Sequence, residues 1–296
     1  VRLRRERGGQ HAEQASVAAN ESSTCGEGKR ERSEGKSRTM RVAVSELLQK
    51  QVAPLDGDEL MRVCWHGDHV ITGSSLGKMQ VCSPSDGRPR CTLDTNQEDE
   101  VYGLESLSTA LAVGAGDTLQ LWDVEKETCL KRETCVKSPN GIVFGGHRNP
   151  DQKSYIFSMA RKGDVLVAAV SDGTVRLNDA RTLESVDSVD LHARRGNSAY
   201  AVAASATAPL IASADQRGSV LLWDMRHMET PVAECANPGA VHALAFVDDL
   251  VVSAGADGHL YVWSARSGTL LQSMFGHRAA ITCLTIAPDN HVVSGS

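Results

Sequence analysis

Aromatic side chains are scarce in this chain: Phe, Trp and Tyr together make up 4% of its 296 residues. Any core must therefore be aliphatic, assembled from Val, Leu, Ile and Ala. No apolar run approaches the roughly 18 residues that suggest a membrane-spanning helix. No stretch joins a charged start to an apolar middle in the manner of a secretory signal. The eight cysteines form no CxxC pair and no HxxxH accompanies them, so a zinc site has no support. Several stand inside apolar runs, where a reduced thiol packs as a small hydrophobe, and a reducing compartment is expected. The G-x-S-x-G elbow, the P-loop and H-E-x-x-H are missing as well. The run Gly114-Ala115-Gly116 falls in a strand-to-strand turn rather than ahead of a helix, so it is not a phosphate cradle. No catalytic residues, metal or cofactor are expected, and no membrane partner.

What is present is unevenly distributed. Residues 1–40 hold nine Lys/Arg against six Asp/Glu, whereas the remainder holds 22 against 31, giving +3 and −9 within a net −6. The first forty residues are nearly devoid of large apolar side chains and cannot offset the entropy of ordering, so a disordered basic tail is expected over 1–40. Its clusters around Arg4-Arg5 and Lys29-Arg30 suit nuclear import or nucleic-acid contact; a merely solvated tail is the plainer reading. The acidic body argues against nucleic-acid binding elsewhere. The chain opens on Val1 and its first methionine is Met40, which leaves open whether residues 1–39 belong to the native protein.

From about residue 58 a repeat sets in. Segments 111–123, 210–224 and 250–263 share one layout: an apolar run, a patch of small residues, a turn containing Gly, and an alternating strand ending in Trp. Weaker copies cover 70–82 and 165–179. The anchors Cys82, Trp122, Asn178, Trp223 and Trp263 are 40, 56, 45 and 40 residues apart. Val241–Phe246 and Ile281–Ile286 read as short buried strands, and Asp172-Gly173 and Asp257-Gly258 as tight hairpin turns. A four-stranded unit of this size buries too little alone, so successive units must stack around an axis.

These residues resemble the WD-repeat family over about 58–296. The resemblance implies an all-β fold, a WD-repeat β-propeller of four-stranded blades. About five and a half blades are present, with truncation at the C-terminus and seven blades expected in the full-length protein. It also implies a hydrogen-bonded brace in each blade, formed by His, Ser/Thr, a turn Asp and Trp. Here the candidates are Ser213, Trp223, Ser253, Asp257, Trp263 and His277, with Arg217 standing where the turn Asp of the Trp223 blade belongs and Asp215 two residues before it. The remaining histidines, His147, His192 and His227, are read as brace or surface groups. The excess in the 56-residue interval is expected in a polar loop, 145–153, between two strands of the third blade. Strands to fill an incomplete blade have one candidate source in 41–51.

One pattern points to function. Arg181, Arg226 and Arg266 each stand three residues after an anchor. The element ending Trp223-Asp224-Met225-Arg226 is similar to the box of substrate receptors of cullin-4 ubiquitin ligases, in which the arginine meets the ligase's adaptor. Asp224 is placed to hold the guanidinium fork. The acidic residue preferred earlier in that box is Arg217 here, and Asn178 replaces Trp in the preceding copy. The expected function is a non-catalytic protein–protein interaction scaffold in a cytoplasmic or nuclear assembly. The alternative is a substrate receptor of a cullin-4 RING ubiquitin ligase. Partner-binding candidates are Arg181, Asp224, Arg226 and Arg266.

Overall fold

A computed structural model describes residues 2–4, 16–18, 58–85, 87–96, 98–134, 154–287 and 290–296. Near the N-terminus β1 (Arg2–Arg4) and β2 (Ser16–Ala18) pair antiparallel. Composition alone predicts no regular structure there; the rest of the expected tail lies outside the described residues. The body consists of five antiparallel four-stranded sheets and one pair of strands. The first sheet contains β3 (Leu60–His66), β4 (His69–Ser74), β5 (Lys78–Cys82) and β6 (Pro89–Asp94). The second contains β7 (Val101–Ser106), β8 (Leu111–Ala115), β9 (Thr118–Asp123) and β10 (Thr128–Thr134). The third contains β11 (Ile156–Lys162), β12 (Val165–Val170), β13 (Val175–Asp179) and β14 (Ser185–Val189).

A single helical turn, α1 (Leu191–Arg194), leads into the fourth sheet: β15 (Ala199–Ala204), β16 (Leu210–Asp215), β17 (Ser219–Asp224) and β18 (Ala233–Ala236). The fifth contains β19 (Val241–Val247), β20 (Leu250–Gly255), β21 (His259–Ser264) and β22 (Leu270–Phe275), and β23 (Cys283–Ile286) pairs with β24 (Val292–Gly295). Strands follow one another across each sheet in chain order. The first strands of successive sheets lie against each other, which is the blade arrangement of a propeller. The five and a half blades expected from the period are those present among the described residues.

The segment after Thr134 resumes at Ser154, between β10 and β11. The extra residues therefore join the second blade to the third rather than two strands of the third. Residues 145–153 themselves, like 41–51, lie outside the described residues.

Alternation in each strand supplies the packing. Its two faces meet the two neighbouring blades, so apolar clusters form between blades rather than within them. Val202, Ile211, Leu221 and Trp223 of the fourth blade join Val167, Val175 and Leu177 of the third. Ala212, Val220 and Leu222 point the other way, toward Leu244, Val251 and Trp263 of the fifth. The same positions in the first blade carry the exception. Leu104, Met159, Val202 and Leu244 are 5–8% exposed, whereas Val63, the corresponding residue of β3, is 46% exposed. The hairpin turns form as the Asp-Gly pairs predict. At Gly173 φ is +82° and a Cβ would stand 2.2 Å from the Asn197 carbonyl oxygen, so both conformation and space demand glycine.

On β7, Glu105 feels the charges of the Arg62 and Arg161 guanidinium groups. Burial pushes its carboxyl up to about 7, against the pull of both arginines. A carboxyl that holds its proton more tightly in the folded chain favours folding at low pH. That contribution is complete below about 4.5 and is lost as pH rises through about 7. Glu105→Gln, which mimics the protonated form, is therefore expected to leave stability unchanged at pH 4.5. At pH 8 it raises stability by on the order of 2 kcal/mol, measured as the difference in urea midpoints between variant and parent at the two pH values.

Candidate functional site

The ends of the third strands carry the arginines. β13, β17 and β21 finish at Asp179, Asp224 and Ser264, and the chain then turns toward the fourth strand on the face that also bears the turns between first and second strands. Arg181, Arg226 and Arg266 project there with side chains 77, 69 and 78% exposed. The structure brings all three to corresponding places on successive blades.

Each guanidinium is held by a carboxylate. Arg226 Nε donates to Asp224 Oδ1 at 2.9 Å and its Nη2 to Oδ2 at 2.6 Å, a two-pronged geometry that fixes the plane of the fork. The backbone N–H of Arg226 also donates to Asp224 Oδ1 at 3.0 Å. These bonds hold the Asp224 carboxyl well below the usual carboxylate range, and the ion pair raises Arg226 in turn. Arg181 Nη2 lies 3.1 Å from Asp164 Oδ2 and Arg266 Nη2 3.3 Å from Asp249 Oδ2. Asp164 and Asp249 come from the turns between first and second strands. The fourth blade has Ala206-Thr207-Ala208-Pro209 in that turn, so Arg226 takes its carboxylate from its own strand. Asp179 accepts the backbone N–H groups of Arg181 and Thr182, both at 2.8 Å, which pull its carboxyl down. Lys131 Nζ of the preceding blade donates to the Thr182 carbonyl oxygen. The arginines thus stand on turns fixed by short-range bonds while their remaining donors face solvent.

The brace candidates divide. Trp223 Nε1 donates to Ser213 Oγ at 2.9 Å, His192 Nε2 lies 2.8 Å from the same oxygen, and His192 Nδ1 lies 3.0 Å from Asp215 Oδ2. All four side chains are buried. The carboxylate of this blade is therefore Asp215, at the end of the second strand, and Arg217 displaces nothing. Trp263 Nε1 donates to Ser253 Oγ at 2.7 Å, and Ser253 Oγ to Asn237 Oδ1 at 2.8 Å. Asp257 stands outside this relay. It accepts Tyr261 O–H at 2.7 Å and the His259 N–H at 3.1 Å, because the turn carries it past the end of the strand. His277 lies 2.7 Å from Ser294 Oγ and 2.8 Å from Ser296 Oγ, the same relation that His192 has to Ser213 and Asp215. In the second blade, Gln120 supplies the oxygen that accepts Trp122 Nε1 at 2.8 Å.

The sequence reading misses Asp164, Asp249 and Asn237; it names Asp215 only by its place before Arg217 and leaves His192 among the brace or surface histidines. The pairing of Asp249 with Arg266 ties the turn between the first two strands of the fifth blade to the turn after its third. Among the described residues no group of three or more His, Cys, Asp or Glu is placed to hold a metal ion, and no helix is long and apolar enough to cross a membrane.

A family model described as WD domain, G-beta repeat matches residues 268–296. The chain is similar to telomerase protein component 1 of Rattus norvegicus, with 24% identity over 78% of this chain and 10% of that protein. It is also similar to the periodic tryptophan protein 2 homolog of Caenorhabditis elegans, with 28% identity over 63% of this chain and 19% of that protein. The chain thus spans between a tenth and a fifth of these relatives' length. Among solved structures, the crystal structure of the computationally designed Ika8 protein superposes with a TM-score of 0.57, 22% identity and 80% coverage of both chains.

Proposed function

Since the chain is a WD-repeat β-propeller, we propose that it serves as a docking scaffold in an intracellular multiprotein assembly, engaging a partner protein through Arg181, Arg226 and Arg266. The observation that carries this reading is the repetition of one exposed, carboxylate-oriented guanidinium at the same place on three successive blades. A surface ion pair adds little to stability, so packing does not account for the row. An arginine already oriented loses less freedom on binding, which favours it as an interface anchor. A relative named as a protein component of telomerase supports membership of an assembly, and the nucleus is the compartment that this relationship favours. No step of this function needs a cofactor or catalysis.

A second reading rests on Trp223-Asp224-Met225-Arg226, where Asp224 grips the guanidinium with both oxygens: the partner is then the cullin-4 adaptor and the protein a substrate receptor. Co-precipitation from cells separates the readings. The receptor reading expects the adaptor with the parent protein, and its loss from the Arg181→Ala/Arg226→Ala variant. An interface arginine is worth about 2 kcal/mol, which corresponds to roughly thirtyfold in affinity. Other proteins lost with the arginines, and no adaptor, leave the scaffold reading alone. Adaptor recovered equally with both forms removes the arginines from the interface.

A further inference from the structure

The opposite ends of the blades carry a second organised feature. Every complete blade has an irregularity at the second residue of its first strand, between Leu60 and Arg62, Val101 and Gly103, Ile156 and Ser158, Ala199 and Ala201, and Val241 and Ala243. A bulge leaves its residue out of the ladder and re-aims the side chain. The five re-aimed residues are Met61, Tyr102, Phe157, Tyr200 and His242, and the last four form a continuous row. Tyr102 and Phe157 meet edge to face at 5.9 Å, Phe157 and Tyr200 at 5.2 Å, and Tyr200 stacks on His242 at 5.9 Å with planes 18° apart. A chain with only four Phe and four Tyr places three of them here, all half-buried, while the aromatic side chains buried between the blades are Trp122, Trp223 and Trp263. Filling the interior does not explain that choice.

The charges around the row discriminate between ligands. Burial, then the charge of Glu100 and to a smaller extent that of Glu59, raise the Tyr102 hydroxyl above its ordinary value, with Arg62 acting against them. The Arg62 Nε is committed to the Tyr102 carbonyl oxygen at 2.6 Å. Burial lowers the His242 imidazole, so near neutral pH it presents an uncharged ring face. Aromatic faces next to carboxylates attract a cation. A nucleic acid stacking on the same rings would need a basic groove for its phosphates, and the glutamates oppose it.

We propose that the row Tyr102, Phe157, Tyr200 and His242, on the face opposite the arginines, is a binding site for a basic peptide segment, seating a lysine or arginine side chain on the ring faces. The site is independent of the arginine row and of the partner bound there.

The test uses the full chain and a fluorescent peptide of alternating arginine and glycine, with fluorescence anisotropy as the readout. The comparison probes are the same peptide with citrulline for arginine, and single-stranded poly(U) RNA. Phe157→Leu/Tyr200→Leu keeps apolar bulk but removes two ring faces; Tyr200→Phe keeps the face. Circular dichroism checks that each variant is folded. The expected result is binding of the arginine peptide, about tenfold weaker with the leucine pair and unchanged with Tyr200→Phe, and a citrulline peptide at least as weak. Arg181→Ala/Arg226→Ala leaves this binding intact. Equal affinity for the citrulline peptide, undiminished binding by the leucine pair, preference for poly(U), or no binding of the arginine peptide would each overturn the assignment. Should the leucine pair fail to fold, the citrulline comparison on the parent decides it alone.

Discussion

Asp215→Ala is expected to destabilise the folded chain by about 3–5 kcal/mol, the cost of breaking a buried charged network by removing one partner. Asp215 is fully buried. It accepts His192 Nδ1 at 3.0 Å, Asn197 Nδ2 at 2.8 Å, and the backbone N–H groups of Arg217 and Ser219, both at 2.9 Å. Burial pushes this carboxyl up, but the hydrogen bond from His192, its charge, and the bonds from Ser219 and Asn197 together bring it below its ordinary value. The stabilisation is therefore present above about pH 3.8 and fades as pH falls through the folded-state value. Truncation leaves these donors facing an apolar interior, and His192 then no longer fixes the Ser213 hydroxyl that receives Trp223. The control is Asp257→Ala. That side chain is partly exposed, accepts Tyr261 O–H and one turn amide, and has His259 Nδ1 3.9 Å away, so its loss costs about 1 kcal/mol. Urea midpoints of the two variants test which carboxylate belongs to the brace; equal losses would contradict the assignment to Asp215.

Gly255→Ala is the second large effect, at about 3 kcal/mol or more. An added Cβ would lie 1.8 Å from the Ala240 carbonyl oxygen and 2.9 Å from the Val241 Cα. These atoms are backbone and cannot rotate away. Nor can the strand retreat, because the Ala256 N–H donates to the Ala240 oxygen and the Ile281 N–H to the Gly255 oxygen, both at 2.9 Å. The second bond ties the fifth blade to the next. Matching positions in other blades hold Ser74, Ala115, Val170 and Asp215, so the repeat by itself would license alanine; the restriction comes from the close approach of Ala240. Gly239→Ala, whose added Cβ meets nothing nearer than 3.7 Å, is expected to be neutral. Thermal unfolding of the two alanine variants decides the point, and comparable midpoints would show that the blade has room to give.

These two cases mark the boundary of what the sequence discloses. Blade spacing, strand alternation and hairpin glycines are local properties, and Trp223, Trp263, Ser213 and Ser253 could be placed from them. The sequence points to the turn for the carboxylate because Asp257-Gly258 is a strong turn signal. What separates Asp215 from Asp257 is which backbone amides and ring nitrogens surround it, and that depends on the preceding loop. His192 was obscured by α1, which separates it by seven residues from Ala199, whereas His277 stands four before Ile281. The arginine row was legible because the three residues share one offset from their anchors. Their carboxylates were not, since Asp164 and Asp249 arrive from a different pair of strands. The aromatic row was hidden for another reason: a bulge interrupts the two-residue alternation by which a strand is read.

Docking and folding should separate cleanly if the blades are held by inter-blade packing and the partner by the arginine face. The decisive measurement is made on one variant, Arg181→Ala/Arg226→Ala/Arg266→Ala, recording thermal unfolding and partner recovery side by side. Exposed ion pairs contribute about 0–1 kcal/mol each, so the unfolding midpoint should shift only slightly while the proteins recovered with the parent chain disappear. Full recovery of those partners by a stably folded triple variant would contradict the claim that this face is where the propeller does its work.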